Sequence, residues 1–167
     1  MDEVREVREG EGLDLAALNS WLKANAPAVG TVTAVAQFPG GFSNLTYLLR
    51  TSAGEFVLRR PPVGVGPGTA HDMPREAGIL GVLELRGIPA PRHIATCHDA
   101  AVLGAPFYVM ERMRGVILRG STAPAGYDAA AFARLGEQFL DTLVAIHGAT
   151  PSDPVIGGLG RPLGYVQ

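Results

Sequence analysis

Three groups of residues in the first half of the chain have the types and spacing needed to bind a phosphate. The segment from Pro39 to Asn44 joins two strand-like runs, and its glycines let backbone N–H groups approach a phosphate while the serine and asparagine at its end add donors. On the next strand-like run, Val57 and Arg59 share one face, because alternate residues of a strand point the same way. Glu76 follows in the first turns of the next helix. This order of residues predicts a phosphate-binding site.

Each of these features also has an ordinary structural interpretation. A hairpin between two strands needs the same glycines for its turn. Arg59, Arg60, Arg75 and Glu76, taken one at a time, are typical of solvated surface charges. The phosphate hypothesis therefore depends on their combination and order.

Two other chemistries are disfavoured by geometry. His93, Cys97 and Asp99 share a strand face, but a four-residue step along a strand spans roughly 13 Å, which is too long for one metal ion. A glycine stands two positions before Ser43, as in the nucleophile elbow of serine hydrolases, but the second glycine of that motif is absent and the segment lies between two strands.

The only lysine, Lys23, has no glycine loop beside it, which excludes a Walker A loop.

Composition restricts the class of protein further. The chain has 167 residues, 47% of them hydrophobic and 18% charged, which suits a globular domain with a buried core. A net charge of −2 gives no basic field for nucleic acid or anionic lipid, so neither a nucleic-acid partner nor a membrane partner is expected. The single cysteine, Cys97, cannot form an internal disulfide, and together with the charged N-terminus this favours a cytoplasmic location.

The elements that must position the phosphate-binding residues are a sheet and a helix. Aspartates at 14, 72 and 128 are plausible N-caps of three helices, the last of which runs to residue 147. Residues 1–12 are predicted to be a frayed leader, and residues 99–104 a turn. The predicted strands are Thr31–Phe38, Phe42–Arg50, Glu55–Arg60, Arg92–His98 and Pro106–Met113.

Four stretches make the sequence recognisable. FPGGFSNLTYLLRTSAGEFVLRRPP, AHDMPREAGIL, GIPAPRHIATCHD and LGAPFYVMERMRG occur in this order, and they resemble the aminoglycoside phosphotransferase family of kinase-like enzymes. The resemblance is closest to the branch similar to the phosphotransferase domains fused to acyl-CoA dehydrogenases. It covers the chain from about Val35 to His147.

The resemblance implies an α+β fold with a kinase-like N-terminal lobe of five antiparallel strands and one helix, followed by the beginning of a helical C-terminal lobe. Residues 1–30 form a leader and helix, 31–113 the N-terminal lobe and hinge, and 114–167 the start of the C-terminal lobe. ATP is the implied cofactor, with Arg59 at the position of the usual strand lysine and Glu76 as its helix partner. The implied nucleotide-binding residues are Gly40, Gly41, Phe42, Ser43, Asn44, Val57, Arg59, Glu76, Met110, Glu111 and Met113.

Two departures from the family pattern affect the predicted activity. An arginine at the strand position binds phosphate with a planar fork rather than as a point charge. The catalytic loop and the Mg²⁺ ligands are expected downstream of Gln167, because His147-Gly148-Ala149 lacks the aspartate of the family's His-Gly-Asp motif. We therefore expect this chain to be the nucleotide-binding half of the enzyme and to be inactive by itself.

The predicted function is ATP-dependent phosphorylation of a hydroxyl group on a small molecule, either a metabolite such as a hydroxyacyl-CoA or an aminoglycoside. The alternative is a non-catalytic nucleotide-binding or interaction module. The apolar residues of the helix at 128–147 also predict self-association, because their partners in the C-terminal lobe are expected downstream.

Overall fold

The computed structural model describes residues 4–39, 43–64, 71–118 and 126–149, together with residues 157 and 159. Three of the predicted site residues, Gly40, Gly41 and Phe42, lie outside the described residues, as does most of the chain after residue 149. Within the described ranges the elements are α1 (Leu15–Asn25), a 3-10 turn (Pro27–Val29), β1 (Val32–Gln37), β2 (Leu45–Thr51), β3 (Gly54–Arg60), α2 (Met73–Leu85), β4 (His93–Cys97), α3 (Ala100–Leu103), β5 (Phe107–Glu111) and α4 (Ala129–His147).

The five strands form one antiparallel sheet in the order β1-β2-β3-β5-β4. Helix α2 follows β3 and leads to β4 at the far edge, so β5 lies between β3 and β4. This arrangement confirms the predicted α+β fold with a five-stranded antiparallel sheet. It also brings the start of β5 beside the end of β3, with Tyr108 opposite Arg59 in the register.

The two faces of the sheet are covered by different helices. Leu58 and Phe107 point to the face on which α1 packs, and Leu18 and Leu22 of α1 are fully buried in the same cluster. Tyr108 and Met110 of β5 point to the opposite face of the sheet, where they contact α2. Alternation along β3 therefore sends Arg59 towards the α2 face and Arg60 towards the α1 face.

Residues 5–12, called the N-terminal segment below, are not the frayed leader that the sequence predicts. Arg5 exchanges both backbone hydrogen bonds with Gln37 of β1, each 2.8 Å long. The Gln37 side chain accepts from the Arg8 backbone at 3.0 Å and donates to Glu11. These contacts fix the segment along the edge strand, because they satisfy donors and acceptors that β1 would otherwise leave unpaired.

Arg60 is buried under this segment, although the sequence favours a solvated charge there. Its guanidinium donates to the carbonyls of Leu103 at 2.9 Å, Glu11 at 3.1 Å and Gly12 at 3.3 Å, and to the Tyr47 hydroxyl at 3.2 Å. The side chain is 1% exposed, and its Nε has no hydrogen-bond partner among the described residues. Arg60 therefore joins the N-terminal segment to the C-terminal end of α3.

Some element boundaries differ from the predicted ones. In the described residues β2 begins at Leu45 and β5 ends at Glu111, so both strands are shorter than the sequence predicts. The predicted turn after β4 contains the short helix α3, because the Asp99 side chain accepts from the Ala101 N–H and caps it. Gly104, with φ of 79°, ends this helix in the left-handed conformation.

Helix α4 has an exposed apolar face, as its sequence predicts. Its N-cap is Asp128, and none of its residues is buried. Phe139 and Val144 are 66% and 70% exposed. Self-association through this face stays a prediction. No helix in the described ranges is long and apolar enough to cross a membrane.

Candidate functional site

The positively charged group of the candidate site is Arg59, near the end of β3. In the register of the sheet it lies between Thr46 of β2 and Tyr108 of β5, and its side chain is 33% exposed. Val57, two residues earlier and on the same face, is buried between Leu48 and Met110. Strand alternation thus places a small apolar residue and a cation on one face, as the sequence predicts.

The negatively charged group is Glu76 in the first turn of α2. Asp72 caps this helix by accepting a hydrogen bond from the Arg75 N–H at 2.9 Å, and a proline stands in the first turn, where its missing donor costs little. A carboxylate in the first turn is also stabilised by the unpaired N–H groups of the helix N-terminus. Local sequence therefore explains why a glutamate side chain lies at this point.

Arg59 and Glu76 form the ion pair that the sequence predicts. The Nε of Arg59 lies 3.2 Å from Oε2 of Glu76, and both side chains are about one-third exposed. This Nε is buried, but its N–H does not meet an acceptor with hydrogen-bond geometry in the described residues. The contact is thus a charge pair made through the inner edge of the guanidinium.

Two neutral side chains donate to the same carboxylate. Tyr108 donates its hydroxyl hydrogen to Oε2 of Glu76 at 3.1 Å, and Asn44 donates its amide hydrogen to Oε1 at 2.9 Å. The other end of the Asn44 amide, Oδ1, lies 3.0 Å from Nδ1 of His71. Glu76, at the start of α2, is therefore linked to β3, to β5 and to the end of the segment from Pro39 to Asn44, called the glycine segment below.

Burial keeps the Tyr108 hydroxyl protonated. Removal from water is the main reason why the pKa of Tyr108 is raised well above its usual value of about 10, and the negative charge of Glu76 acts in the same direction. The positive charge of Arg59 lowers the pKa of Tyr108 and is the second-largest effect, but it is smaller than the effect of burial. The hydroxyl is therefore a permanent hydrogen-bond donor to Glu76 at neutral pH.

Of the predicted glycine segment, residues 39–44, the structure describes Pro39, Ser43 and Asn44. Ser43 is exposed, whereas Asn44 is buried and holds Glu76 and His71. The predicted contact of Asn44 with a phosphate stays a prediction, and the structure adds a contact with α2 that the sequence did not indicate.

The predicted hinge begins where β5 ends. Met110 is half-buried against α2, and Glu111, the last residue of β5, donates its backbone N–H to the Arg92 carbonyl at 2.9 Å. Met113 lies two residues beyond the strand and is 58% exposed. The backbone N–H of Met113 forms no hydrogen bond with the residues that the structure describes. The predicted contact of the hinge backbone with the edge of adenine stays a prediction.

An ion-pair cluster that sequence reasoning missed holds the hinge against the start of β3. Glu55 contacts Arg112, and its Oε2 lies 2.7 Å from Nη2 of Arg114. Arg50 lies 3.6 Å from the other oxygen of Glu55. The antiparallel register brings these residues together across β2, β3 and the end of β5, which no spacing along the chain reveals.

The residues that sequence reasoning missed in the candidate site itself are Tyr108 and His71. A signal for Tyr108 was available, because it precedes Met110 by two positions and so shares its strand face. His71 had no such signal, since its contact depends on how the chain returns from β3 to α2. The described residues contain no group of three or more His, Cys, Asp and Glu side chains that could hold a metal ion.

A five-stranded antiparallel sheet, with a strand cation paired to a helix glutamate beside the hinge strand, is the arrangement of a kinase-like N-terminal lobe. The solved structures agree with this class. A crystal structure from Ralstonia eutropha, described as "a putative aminoglycoside phosphotransferase", matches 90% of this chain and 43% of its own, with a TM-score of 0.72 and 27% identity. The fold is thus that of kinase-like aminoglycoside phosphotransferases.

Family membership follows from the sequence match. Residues 34–166 match the model of the phosphotransferase enzyme family, and the chain belongs to that family. Among similar proteins, acyl-CoA dehydrogenase family member 11 from mouse is 32% identical over 97% of this chain, and the human protein is 31% identical over 99% of it. Acyl-CoA dehydrogenase family member 10 from mouse is 34% identical over 72% of the chain.

These relatives are much longer than this chain. The chain spans 21% of the length of the mouse family member 11 and 22% of the human one. The activity of the whole protein is therefore a proposal, and the relatives' names do not transfer to this chain.

Proposed function

We propose that the chain is the nucleotide-binding lobe of an ATP-dependent phosphotransferase that acts on a hydroxyl group of a small molecule. The observation that carries the proposal is the Arg59–Glu76 pair, which lies on the α2 face of the sheet between the end of the glycine segment and the hinge strand. In phosphoryl transfer the protein mainly positions the phosphates and stabilises their charge, so such a pair is the part of the machinery that this lobe contributes.

The residues present fit ATP in three respects. The terminal nitrogens of Arg59 form no hydrogen bond with the described residues, while its Nε lies 3.2 Å from Oε2 of Glu76. The backbone beyond Glu111 leaves a donor at Met113 for the edge of adenine. Val57 and Met110 supply adjacent apolar surface on the same sheet face for the base.

The lobe holds the nucleotide and does not by itself complete the reaction. Mg²⁺ would supply charge stabilisation, and its ligands and the catalytic base are proposed to belong to the C-terminal lobe. In this proposal the residues of the N-terminal lobe bind and orient the nucleotide: the glycine segment and Arg59 bind the phosphates, and the hinge binds the base.

For the acceptor we favour a hydroxylated acyl-CoA or a related metabolite over an aminoglycoside. The support is that several relatives are named as acyl-CoA dehydrogenase family members and match this chain over most of its length.

The test is ATP binding measured by calorimetry on the full chain, for the wild type, Arg59→Met and Arg134→Met. Arg134 lies exposed on α4, so its replacement changes the net charge equally but leaves the site intact. Losing a charge-assisted phosphate contact is expected to weaken ATP binding about tenfold to a hundredfold in Arg59→Met and not in Arg134→Met. Equal affinities of wild type and Arg59→Met would refute the assignment.

A second assay addresses the reaction. Label transfer from γ-labelled ATP to hydroxyacyl-CoA thioesters and to aminoglycosides is measured for the protein with its C-terminal lobe. Acceptor-dependent transfer supports the enzyme. ATP binding without transfer to either class would favour the alternative, a nucleotide-binding module without catalysis.

A further inference from the structure

The three nitrogens of the Arg59 guanidinium differ in their contacts. Its Nε faces Oε2 of Glu76 at 3.2 Å, whereas its two terminal nitrogens have no partner among the described residues. A lysine has one nitrogen, which must serve the glutamate and the phosphates together. An arginine can bind the glutamate with one nitrogen and a phosphate with the others, provided that the carboxylate stays at the Nε edge.

Nothing in an arginine–carboxylate pair guarantees that separation. The most favourable geometry of such a pair is bidentate, with two parallel N–H···O bonds, and it would occupy a terminal nitrogen of Arg59. The carboxylate can adopt it only if both of its oxygens are free to turn towards the guanidinium.

Both oxygens of Glu76 are already held by other donors. The Tyr108 hydroxyl occupies Oε2 at 3.1 Å, and the Asn44 amide occupies Oε1 at 2.9 Å. Tyr108 lies on β5, directly opposite Arg59 in the register, and is 3% exposed, so its hydroxyl has a fixed position. Turning Glu76 into a bidentate pair would break a part-buried hydrogen bond to a charged group, which costs more to lose than a bond between neutral groups.

We propose that Tyr108 is a positioning residue for nucleotide binding, which confines Glu76 to the Nε edge of Arg59 and leaves both terminal nitrogens to bind one phosphate group. This inference rests on the proposed function, because it specifies how the proposed phosphate contact is made. The ligand chemistry it predicts is a tetrahedral phosphate gripped by two nitrogens at once, a geometry that lysine cannot reproduce.

The competing interpretation is that Tyr108 only fills space. Its ring packs with Met73 and Ala77 of α2, and this packing would be the same for phenylalanine. The Tyr108→Phe variant therefore removes the hydroxyl and keeps the packing. A matched control is Tyr47→Phe, since Tyr47 is also a buried sheet tyrosine but donates to the Glu11 carbonyl at 2.8 Å, on the α1 face.

The experiment compares ATP with adenosine, which lacks phosphates, in calorimetric titrations of the full chain. In Tyr108→Phe we expect ATP affinity to fall about fivefold to tenfold and adenosine affinity to stay unchanged, because only the phosphate contact is affected. Tyr47→Phe is expected to change neither. In the Arg59→Met background, Tyr108→Phe is expected to have no further effect on ATP, since it acts through Arg59.

The Arg59→Lys variant independently tests whether both terminal nitrogens of Arg59 bind the phosphate. It keeps the charge but supplies one nitrogen, so ATP affinity is expected to fall about as far as in Tyr108→Phe, and adenosine affinity is expected to hold.

The outcomes separate the two proposals. A wild-type chain without ATP affinity would refute both of them. ATP binding that falls in Arg59→Met but is unchanged in Tyr108→Phe would overturn the role of Tyr108 and leave the proposed function standing. Equal losses of ATP and adenosine affinity in Tyr108→Phe would identify a general structural role and also overturn the inference.

Discussion

Replacing Arg60 with methionine tests whether a buried cation without a carboxylate partner holds the N-terminal segment to the sheet. Methionine has a similar length and no donors, so the change removes the charge and its hydrogen bonds while filling most of the space. Arg60 is 1% exposed and donates to three backbone carbonyls and one hydroxyl. Its aromatic neighbour Tyr47 also lies under the cation, with the guanidinium carbon 5.6 Å from the ring centre.

The expected loss in the free energy of unfolding depends on whether each acceptor regains a hydrogen bond once Arg60 is replaced. The bond to the Leu103 carbonyl is buried, and leaving that carbonyl without a donor costs about 1–3 kcal/mol. The carbonyls of Glu11 and Gly12 are part-buried and can regain water if the segment lifts, which adds about 1 kcal/mol of lost contacts. Arg60→Met also removes the cost of burying a charged group, which offsets part of this loss of stability. We expect a net loss of about 1–3 kcal/mol.

The assay is equilibrium urea unfolding followed by the fluorescence of Trp21, the only tryptophan. Its ring packs edge-on against Phe107 at 4.9 Å, so it reports directly on the core beneath the segment. Arg50→Met is the matched control, because Arg50 is half exposed and its pair with Glu55 is 3.6 Å long. An exposed pair of this kind contributes about 0–1 kcal/mol.

Hydrogen exchange locates the effect. In Arg60→Met the backbone amides of Arg5 and Gln37, which pair with each other, are expected to exchange faster than those of β3. A loss of stability below about 1 kcal/mol, with unchanged exchange at these two amides, would refute the reasoning, since the buried bonds would then contribute nothing net.

Two further predictions concern the backbone and the pH dependence of stability. Gly30 has φ of 75° and ψ of −163°, and a side chain there would collide with the turn between β2 and β3, so Gly30→Ala is expected to lose about 1–3 kcal/mol in the same urea assay. Gly81→Ala, in the interior of α2 with open space around it, is the control and is expected to gain about 0.5–1 kcal/mol; a loss in both variants, or in neither, would contradict this explanation. Burial lowers the pKa of His93 below its usual value of about 6.5, so the unfolded chain binds this proton more readily and the free energy of unfolding is expected to fall as pH drops below about 6.5. Urea titrations between pH 7.5 and 5, compared with His93→Asn, should show a shallower fall in the variant, and parallel curves would exclude His93 as the cause.

Patterns within single elements made much of the fold predictable. Alternation along β3 assigns Val57 and Arg59 to one face whatever packs on it, and Asp72 with the following proline defines where α2 starts and hence where Glu76 lies. The Arg59–Glu76 pair and the antiparallel sheet therefore agree with the sequence-based prediction. Their physical basis is local: a strand period, a helix cap and the chemistry of two side chains.

The partners of Glu76 depend on contacts between elements. Asn44 and Tyr108 both lie 32 residues from Glu76 along the chain, in opposite directions. Tyr108 reaches Glu76 because β5 inserts between β3 and β4, whereas Asn44 lies just before β2, on the other side of β3. A sequence shows that each residue can donate a hydrogen bond. It does not show which carboxylate each one meets, because the sheet order decides that.

Arg59 and Arg60 give the clearest contrast, since they are adjacent and identical in type. Alternation shows that they point to opposite faces, but it does not show what covers each face. The carbonyl acceptors of Arg60 lie 43 to 49 residues away, in α3 and the N-terminal segment, and only their convergence makes burial of a cation tolerable. The sequence by itself determined the residue types and their faces. The tertiary structure decided which arginine is one-third exposed beside Glu76 and which is buried under the N-terminal segment, because burial depends on which distant residues pack against each side chain.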